Sequence, residues 1–391
     1  MRMYPVFTVT KKAETSIRAG HKWVYGEEVI SVEGAYENGS VADVVSKSGK
    51  WLGAGFINDR SKLRVRLLSR NPNDRFDEAF WRRRVKYAVD YRRKAMGGQF
   101  DCCRLIFGEA DGIPGLTADR FSDVIVSEVL CFGTESVKEI IYDELIKQTG
   151  CGVIYERNDN ALRDKEGLER GCGFAYGEGN GHVIITENGL KFDVDYIEGQ
   201  KTGFFLDQKY NRAAVARFAR GMRVLDCFTH TGAFALNCAA AGAREVTAVD
   251  SSAPALETAK RSAALNGIES VGFVRADVFD FLSSAQREYD LIILDPPAFT
   301  KSSSTVKAAA RGYKEINFRA MKLLHRGGFL ATCSCSHFMT DAVFRQVVSE
   351  AAADADVSLR QAAAGQQAPD HPVLWGVPET EYLKFYIFQV V

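Results

Sequence analysis

From about residue 188 onward, short apolar runs closed by turn residues alternate with stretches of helical period. "MRVLDCF" (222–228), "EVTAVD" (245–250), "VGFVRAD" (271–277), "YDLIILDPP" (289–297) and "GGFLATCSC" (327–335) read as strands. "GAFALNCAAAGA" (232–243) and "APALETAKRSAALNG" (253–267) read as the helices between the first three. Alternation of this kind predicts parallel strands with crossover helices, an α/β doubly wound sheet. The first 72 residues have a different rhythm. "SVADVVSKSGKWLGAGFIN" (40–58) reads as two strands around a turn at Ser48-Gly49, and "KLRVRLLSR" (62–70) as a third with Arg64 and Arg66 alternating. "NPNDRF" (71–76) supplies a boundary. Between 73 and 187 a basic helix, the helix-like "SVKEIIYDELIKQ" (136–148) and the strand-like "DVIVSEVLCF" (123–132) and "GVIYERND" (152–159) make an α+β pattern. The expected domains are therefore 1–72, 73–187 and 188–391.

Composition leaves this picture standing. Of 391 residues, 46% are hydrophobic and 26% charged, with no low-complexity tract. No apolar stretch nears the roughly 20 residues that span a bilayer. The opening "MRMYPVFTVTKKAE" has no apolar signal core, so neither secretion nor membrane insertion is expected. Nine irregularly spaced cysteines then read as reduced thiols in a cytoplasmic protein. Formal net charge is zero, yet cations crowd the amino-terminal part, and "FWRRRVKYAVDYRRKAM" (80–96) carries seven against the single acid Asp90. That run reads either as a solvated helix face or as a phosphate-binding surface. Lys22, Arg64 and Arg66 are further candidates for phosphate contacts.

Ligands of doubly wound sheets bind outside the carboxyl ends of the strands, where this chain puts Asp226, Asp250, Asp277, Asp295 and the pair Cys333 and Cys335. A dinucleotide site would need Gly-x-Gly-x-x-Gly after the first strand. The turn here, "DCFTHTGAFA" (226–235), has Gly232 alone and an acid that would repel phosphate. A carboxylate at Asp226 suits an ammonium group. Asp250, 24 residues on, suits both ribose hydroxyls, and Asp277 suits an adenine amino group. Amine, ribose and adenine together describe S-adenosyl-L-methionine. Taken singly, each of these acids also reads as a helix cap.

Five strings extend the argument to the whole chain: "GQKTGFFLDQKYNR" (199–212), "DCFTHTGAFA", "LDPPAF" (294–299), "TCSCS" (332–336) and "DHPVLWGVPETEYLK" (370–384). With "AGHKWVYGEEV" (19–29), "GKWLGAGFIN" (49–58) and "LIFGEADGIPGLTADRF" (105–121), the chain resembles PUA-domain class I S-adenosylmethionine-dependent RNA methyltransferases. His337 and Phe385 stand where that family has a small residue and a glycine. The resemblance implies a small β-barrel PUA domain, a central α+β domain and a Rossmann-like catalytic domain. It implies ribosomal RNA as partner, 23S by likeness to a 5-methylcytosine-forming member, with a homodimer a further candidate. It also implies cofactor contacts from Phe205, Gln208 and Arg212, and from the strand ends at Asp226, Phe228, Thr231, Gly232, Asp250, Ser251, Asp277, Val278 and Asp295.

The cysteines fit the chemistry of that likeness. Cytosine C5 attacks a sulfonium methyl only after a thiolate adds at C6, and an acid must hold N3 protonated meanwhile. Cys335, nearer the carboxyl end of its strand, is the expected nucleophile, with Cys333 in reserve and Asp295 as the acid. Several other readings stay open. The two thiols could be plain core residues, or Cys333, Cys335 and His337 could be three ligands of a zinc site that needs a fourth. "DPPAF" could serve amine methylation with Phe299 stacked on the base, a relative makes 7-methylguanine without a thiol, and a non-catalytic assembly factor would bind cofactor without turnover.

Overall fold

The structure, a computed structural model, describes residues 4–285, 289–300 and 302–391. The chain divides into two compact units. One takes the chain up to Val183 with Tyr196–Gly203 and Pro369–Thr380; the other takes Ile184–Asp195, Phe204–Ala368 and Glu381–Val391. Among the described residues no helix is long and apolar enough to cross a membrane.

The first unit holds two sheets. A six-stranded sheet runs in the order Trp23–Tyr25, Leu63–Ser69, Trp51–Ile57, Val41–Ser46, Val6–Val9, Val29–Glu33. Val41–Ser46 and Trp51–Ile57 are antiparallel around Gly49, whose φ of 75° meets the demand of the turn there. Inward residues such as Phe7, Val24, Val44 and Val65 are fully buried, following the alternation read from the sequence. A five-stranded sheet follows, in the order Gly171–Tyr176, Val153–Asn158, Val124–Val129, Leu116–Phe121, Cys102–Phe107. The helix Glu78–Met96 packs its Phe80, Trp81, Val85, Ala88 and Val89 into this sheet's core, and Asp77 caps it by accepting from the Phe80 backbone N–H.

The basic residues of this unit are not the open surface that the sequence suggested. Arg66 is nearly buried and bridges Glu109 at 3.0 Å and Glu166 at 2.9 Å, while Arg64 is paired with Asp59. In the basic helix Arg92 is fully buried on Asp111, Arg82 meets Glu78 and Glu144, and Arg93 meets Asp90. Local and distant acids thus pair part of the run, while Arg83, Lys86, Arg93 and Lys94 stay exposed.

The second unit is built on a seven-stranded sheet. Its strands are β1 Arg223–Cys227, β2 Glu245–Asp250, β3 Val271–Arg275, β4 Tyr289–Leu294, β5 Leu324–Ser334, β6 Leu359–Gly365 and β7 Lys384–Val390. They run in the order β3-β2-β1-β4-β5-β7-β6, with β1 to β5 parallel and β7 antiparallel to both neighbours. Strand order reverses beside β1, which is where such sheets open a crevice. One face packs Leu225, Ile292, Leu294 and Leu330 against the helices Val306–Leu323 and Asp341–Asp354. The other packs Val224, Ile293, Ala331 and Cys333 against Lys209–Ala216 and Ala233–Ala240. Covered on both faces, the strands are near-continuous apolar runs, hence their legibility.

Candidate active site

Register decides what meets at the carboxyl edge. Leu294 pairs with Cys227 on one side and Thr332 on the other, so Asp295 and Cys333 emerge together one residue beyond that row. The Cys333 Sγ lies 3.0 Å from the Asp295 Oδ1 and 3.3 Å from the Leu294 carbonyl. Gln208 reaches the same pair, its Nε2 donating to Asp295 Oδ1 at 3.0 Å and to Cys333 Sγ at 3.4 Å. Asn211 in turn donates to Gln208 Oε1 at 2.6 Å. Desolvation pushes the Asp295 carboxyl up to about 6, against the bond from Cys333, which lowers it. Burial, and then the Asp295 charge, push the Cys333 thiol well up, so it is a protonated donor and a poor nucleophile.

Cys335 lies two residues further, past the end of β5, on the same side as Cys333. It is half-buried, and its Sγ is 3.9 Å from the Pro296 carbonyl. The flanking serines are fixed: Ser334 donates to Tyr313 Oη at 3.0 Å and Ser336 to the Thr300 carbonyl at 2.8 Å. The turn that carries the thiol is thereby tied to the loop after β4.

At the end of β1, Asp226 is buried. Its Oδ2 accepts from Thr229 Oγ1 at 2.5 Å and from the Ala235 N–H at 3.0 Å, and its Oδ1 has no hydrogen-bond partner among the described residues. An orphaned buried carboxylate oxygen is costly unless a donor arrives, and an ammonium is such a donor. Burial pushes this carboxyl up to about 7, with the Asp295 and Asp250 charges adding to it. The following loop has positive φ at Phe228 (61°), His230 (50°) and Gly232 (78°), a strained path at the switch point. A Cβ on Gly232 would meet the Ala259 Cβ at 2.9 Å, so only glycine fits. Thr231 is buried beside it.

Asp250 accepts from the His230 N–H at 2.9 Å and the Ser252 N–H at 2.8 Å, holding the loop after β1 against β2. Ser251 is exposed next to it. Asp277 is an exposed helix cap, with Oδ1 accepting from Phe279 and Asp280, and Val278 is buried below it. Of the three ordered acids, Asp277 thus already serves as the cap that each could have been.

Arg212 departs from the expectation of a cofactor contact. It is bidentate on buried Glu187 at 2.6 and 2.8 Å and donates to the Phe205 carbonyl at 2.8 Å, so it braces the 205–208 segment from behind. Phe205 itself is partly exposed and meets the His230 ring edge-on at 5.0 Å. Phe299 packs on Tyr313 at 4.7 Å and on Phe279 at 6.0 Å. Sequence reasoning missed Glu187, Asn211, Tyr313 and Lys384. Of these, Asn211 and Lys384 stood inside quoted motifs, but only tertiary contact gives them a task.

The arrangement can hold a cationic amine at Asp226, a polar ring at Asp250, and a proton near neutrality at Asp295. The S-adenosylmethionine-dependent methyltransferase family matches residues 155–378, and the PUA-like domain family matches residues 7–70. A relative named ribosomal RNA large subunit methyltransferase I, from Klebsiella pneumoniae, is 38% identical over 100% of this chain and 99% of its own. One of the same name from Shewanella denitrificans is 41% identical over 96% of this chain and 97% of its own. A methyltransferase solved as its complex with SAH shares the fold, with a TM-score of 0.85 at 21% identity, over 98% of this chain and 100% of that one.

Proposed function

This chain belongs to the S-adenosylmethionine-dependent methyltransferase family and carries a PUA-like domain, and from that premise we propose that it forms 5-methylcytosine in large-subunit (23S) ribosomal RNA. The observation that carries the reading is the placement of a half-buried thiol, Cys335, 3.9 Å from the carbonyl of Pro296, the residue next to Asp295, at two adjacent strand ends. S-adenosylmethionine supplies an electrophilic methyl group. Asp226, Asp250 and the 205–208 segment hold it, with the unpartnered Asp226 oxygen awaiting its ammonium.

The Cys335 thiolate adds to C6 of a flipped-out cytosine, and the S–C6 bond turns C5 into a nucleophilic carbon. Asp295 can bring a proton to N3, because a carboxyl raised to about 6 still exists in part as the acid near neutral pH. C5 would then take the methyl group with S-adenosylhomocysteine as leaving group, lose its proton to a base, and expel the thiolate as the ring double bond returns and N3 gives its proton back to Asp295. Cys333 and Gln208 keep Asp295 aimed and desolvated. The assignment of Cys335 over Cys333 rests on access and on the raised thiol of the latter. Residues 1–72 form the RNA-anchoring domain, 73–187 the central domain and 188–391 the catalytic domain in this reading. Amine methylation is less well supported, because Phe299, which would stack on the base, is engaged with Tyr313 and Phe279.

The test is labelled methyl transfer to undermethylated large-subunit RNA, with nucleoside mass spectrometry. We expect 5-methylcytosine from the wild type and from Cys333→Ala, and a loss of at least about a thousandfold in Cys335→Ala. A methylated amine or N7 product, or full activity in Cys335→Ala, would overturn the mechanism. No transfer at all would favour a non-catalytic binding factor.

A further inference from the structure

A buried cation beside the proposed nucleophile has no task so far. Lys384 opens β7 directly opposite Ser334 in the antiparallel ladder, one residue from Cys335 in register. Its side chain is buried, and its Nζ donates to the Ser336 carbonyl at 2.6 Å and to the Tyr382 carbonyl at 2.8 Å. The first of these bonds grips the turn just past the thiol. A neutral amide could make both. A charged amine in that place is costly to desolvate unless an anion repays it.

Among the described residues no carboxylate forms an ion pair with Lys384. The acidic groups acting on it are, in falling order, the Cys335 thiol, Asp341 and Glu381 from flanking segments, and the Cys333 thiol. Asp341 is engaged by the Tyr386 hydroxyl. Cys333 is a protonated donor to Asp295. Tyr313, on the helix Val306–Leu323, meets the intervening Ser334, and burial pushes its hydroxyl well up, so it brings no charge of its own. Burial pushes the Lys384 amine down to about 8, with the Cys335 thiol opposing, so at neutral pH it remains mostly an ammonium. Asp341 is taken by Tyr386 and Glu381 forms no ion pair with the amine among the described residues, which leaves Cys335, the largest of these influences, as its candidate anion.

We propose that Lys384 is a positioning residue that clamps the 334–336 turn through the Ser336 carbonyl and serves as counter-ion to the Cys335 thiolate. The thiol proton goes to solvent while Lys384 keeps its own. The idea rests on the reading of Cys335 as nucleophile, and deepens it by naming the group that activates the thiol.

Alkylation by iodoacetamide without RNA, followed residue by residue across pH by peptide mass spectrometry, tests it. Exposed Cys172 is the internal reference. In the wild type, Cys335 should titrate below Cys172. Lys384→Gln keeps a donor but removes the charge. It should slow Cys335 alkylation at pH 7 about tenfold and move its midpoint up by about one unit, leaving Cys172 unchanged. Lys384→Arg should restore the low midpoint. An unchanged Cys335 midpoint in Lys384→Gln would overturn the proposal. So would wild-type Cys335 titrating at or above Cys172, a result that needs no variant to fold. An active Cys335→Ala enzyme combined with a Lys384-dependent midpoint would sink the cytosine chemistry and leave this inference standing. A dead Cys335→Ala enzyme with a Lys384-independent midpoint would do the reverse.

Discussion

The Asp226 carboxyl makes cofactor binding depend on pH in a direction that can be worked out beforehand. Its ordinary value is 3.8, and burial lifts it to about 7 in the protein without ligand. That rise of about 3 units corresponds to about 4 kcal/mol between the two protonation states. A raised acid stabilises the fold fully below its unfolded value, and the contribution is lost as pH climbs through the folded one. The free protein should therefore lose stability between about pH 4 and pH 7. An ammonium arriving at the unpartnered Oδ1 favours the carboxylate, so below pH 7 each binding event must expel one proton. Affinity for S-adenosylhomocysteine should then weaken about tenfold per pH unit below 7 and level off above it. Asp226→Asn removes the ionisable group. Its affinity should be flat over this range and lower at pH 8 by about 2 kcal/mol, roughly thirtyfold, the worth of a charged hydrogen bond. The free variant should also resist urea better than the wild type at pH 8, since a buried carboxylate is gone. Isothermal titration at pH 6, 7 and 8, in buffers of different ionisation heat, measures affinity and counts the protons together. A wild-type affinity that does not change between pH 6 and 8, or binding at pH 6 without proton release, would refute the reasoning.

Two further substitutions test the scaffold of the site. Arg212→Met would leave Glu187 buried and uncompensated, which should cost about 3–5 kcal/mol in urea unfolding and loosen the Phe205 segment enough to weaken cofactor binding. Gly232→Ala would force a Cβ to within 2.9 Å of Ala259 at a φ of 78°. It should lower stability by about 1–3 kcal/mol and raise the cofactor Kd, both readable by thermal melts with and without S-adenosylhomocysteine.

What the sequence made legible is what local pattern determines. The parallel strands are covered on both faces, so their apolar runs stop where the sheet stops, and Asp226, Asp250 and Asp295 were read off those stops. The turn at Ser48-Gly49 was equally plain. Charges were the opposite case. Arg66 alternates with Arg64 along its strand and was a candidate for phosphate contact, yet its partners lie 43 and 100 residues away at Glu109 and Glu166. Arg92 was one of seven cations in a run and proved fully buried on Asp111. Arg212 was expected on the cofactor with Phe205 and Gln208, while its guanidinium is spent on Glu187 and the Phe205 carbonyl. Nothing in the spacing of a cation records which acid will meet it, whereas an apolar run records its own burial.

The loop after β4 shows how few residues fix the geometry on which the proposed chemistry depends. Pro296 and Pro297 follow Asp295, and proline disfavours the helical region for the residue before it and supplies no N–H to continue a ladder. β4 must therefore end at Leu294, with Asp295 extended at the sheet edge and its carboxyl held beside the neighbouring strand. On that neighbour, parallel pairing of Leu294 with Thr332 sets Cys333 level with Asp295. A slip of one residue would turn both thiols to the other face, towards Tyr313 and the helix Val306–Leu323. What prevents the slip is antiparallel β7, whose Phe385 pairs with Cys333 and whose Lys384 pairs with Ser334. The last strand of the chain thus locks the register of the thiols, and the same strand carries the buried amine proposed as counter-ion to Cys335. The clamp on the 334–336 turn and the charge at this edge therefore share one side chain. That is why Lys384→Arg, which keeps both, and Lys384→Gln, which keeps only the hydrogen bonds, can separate the clamp from the counter-ion.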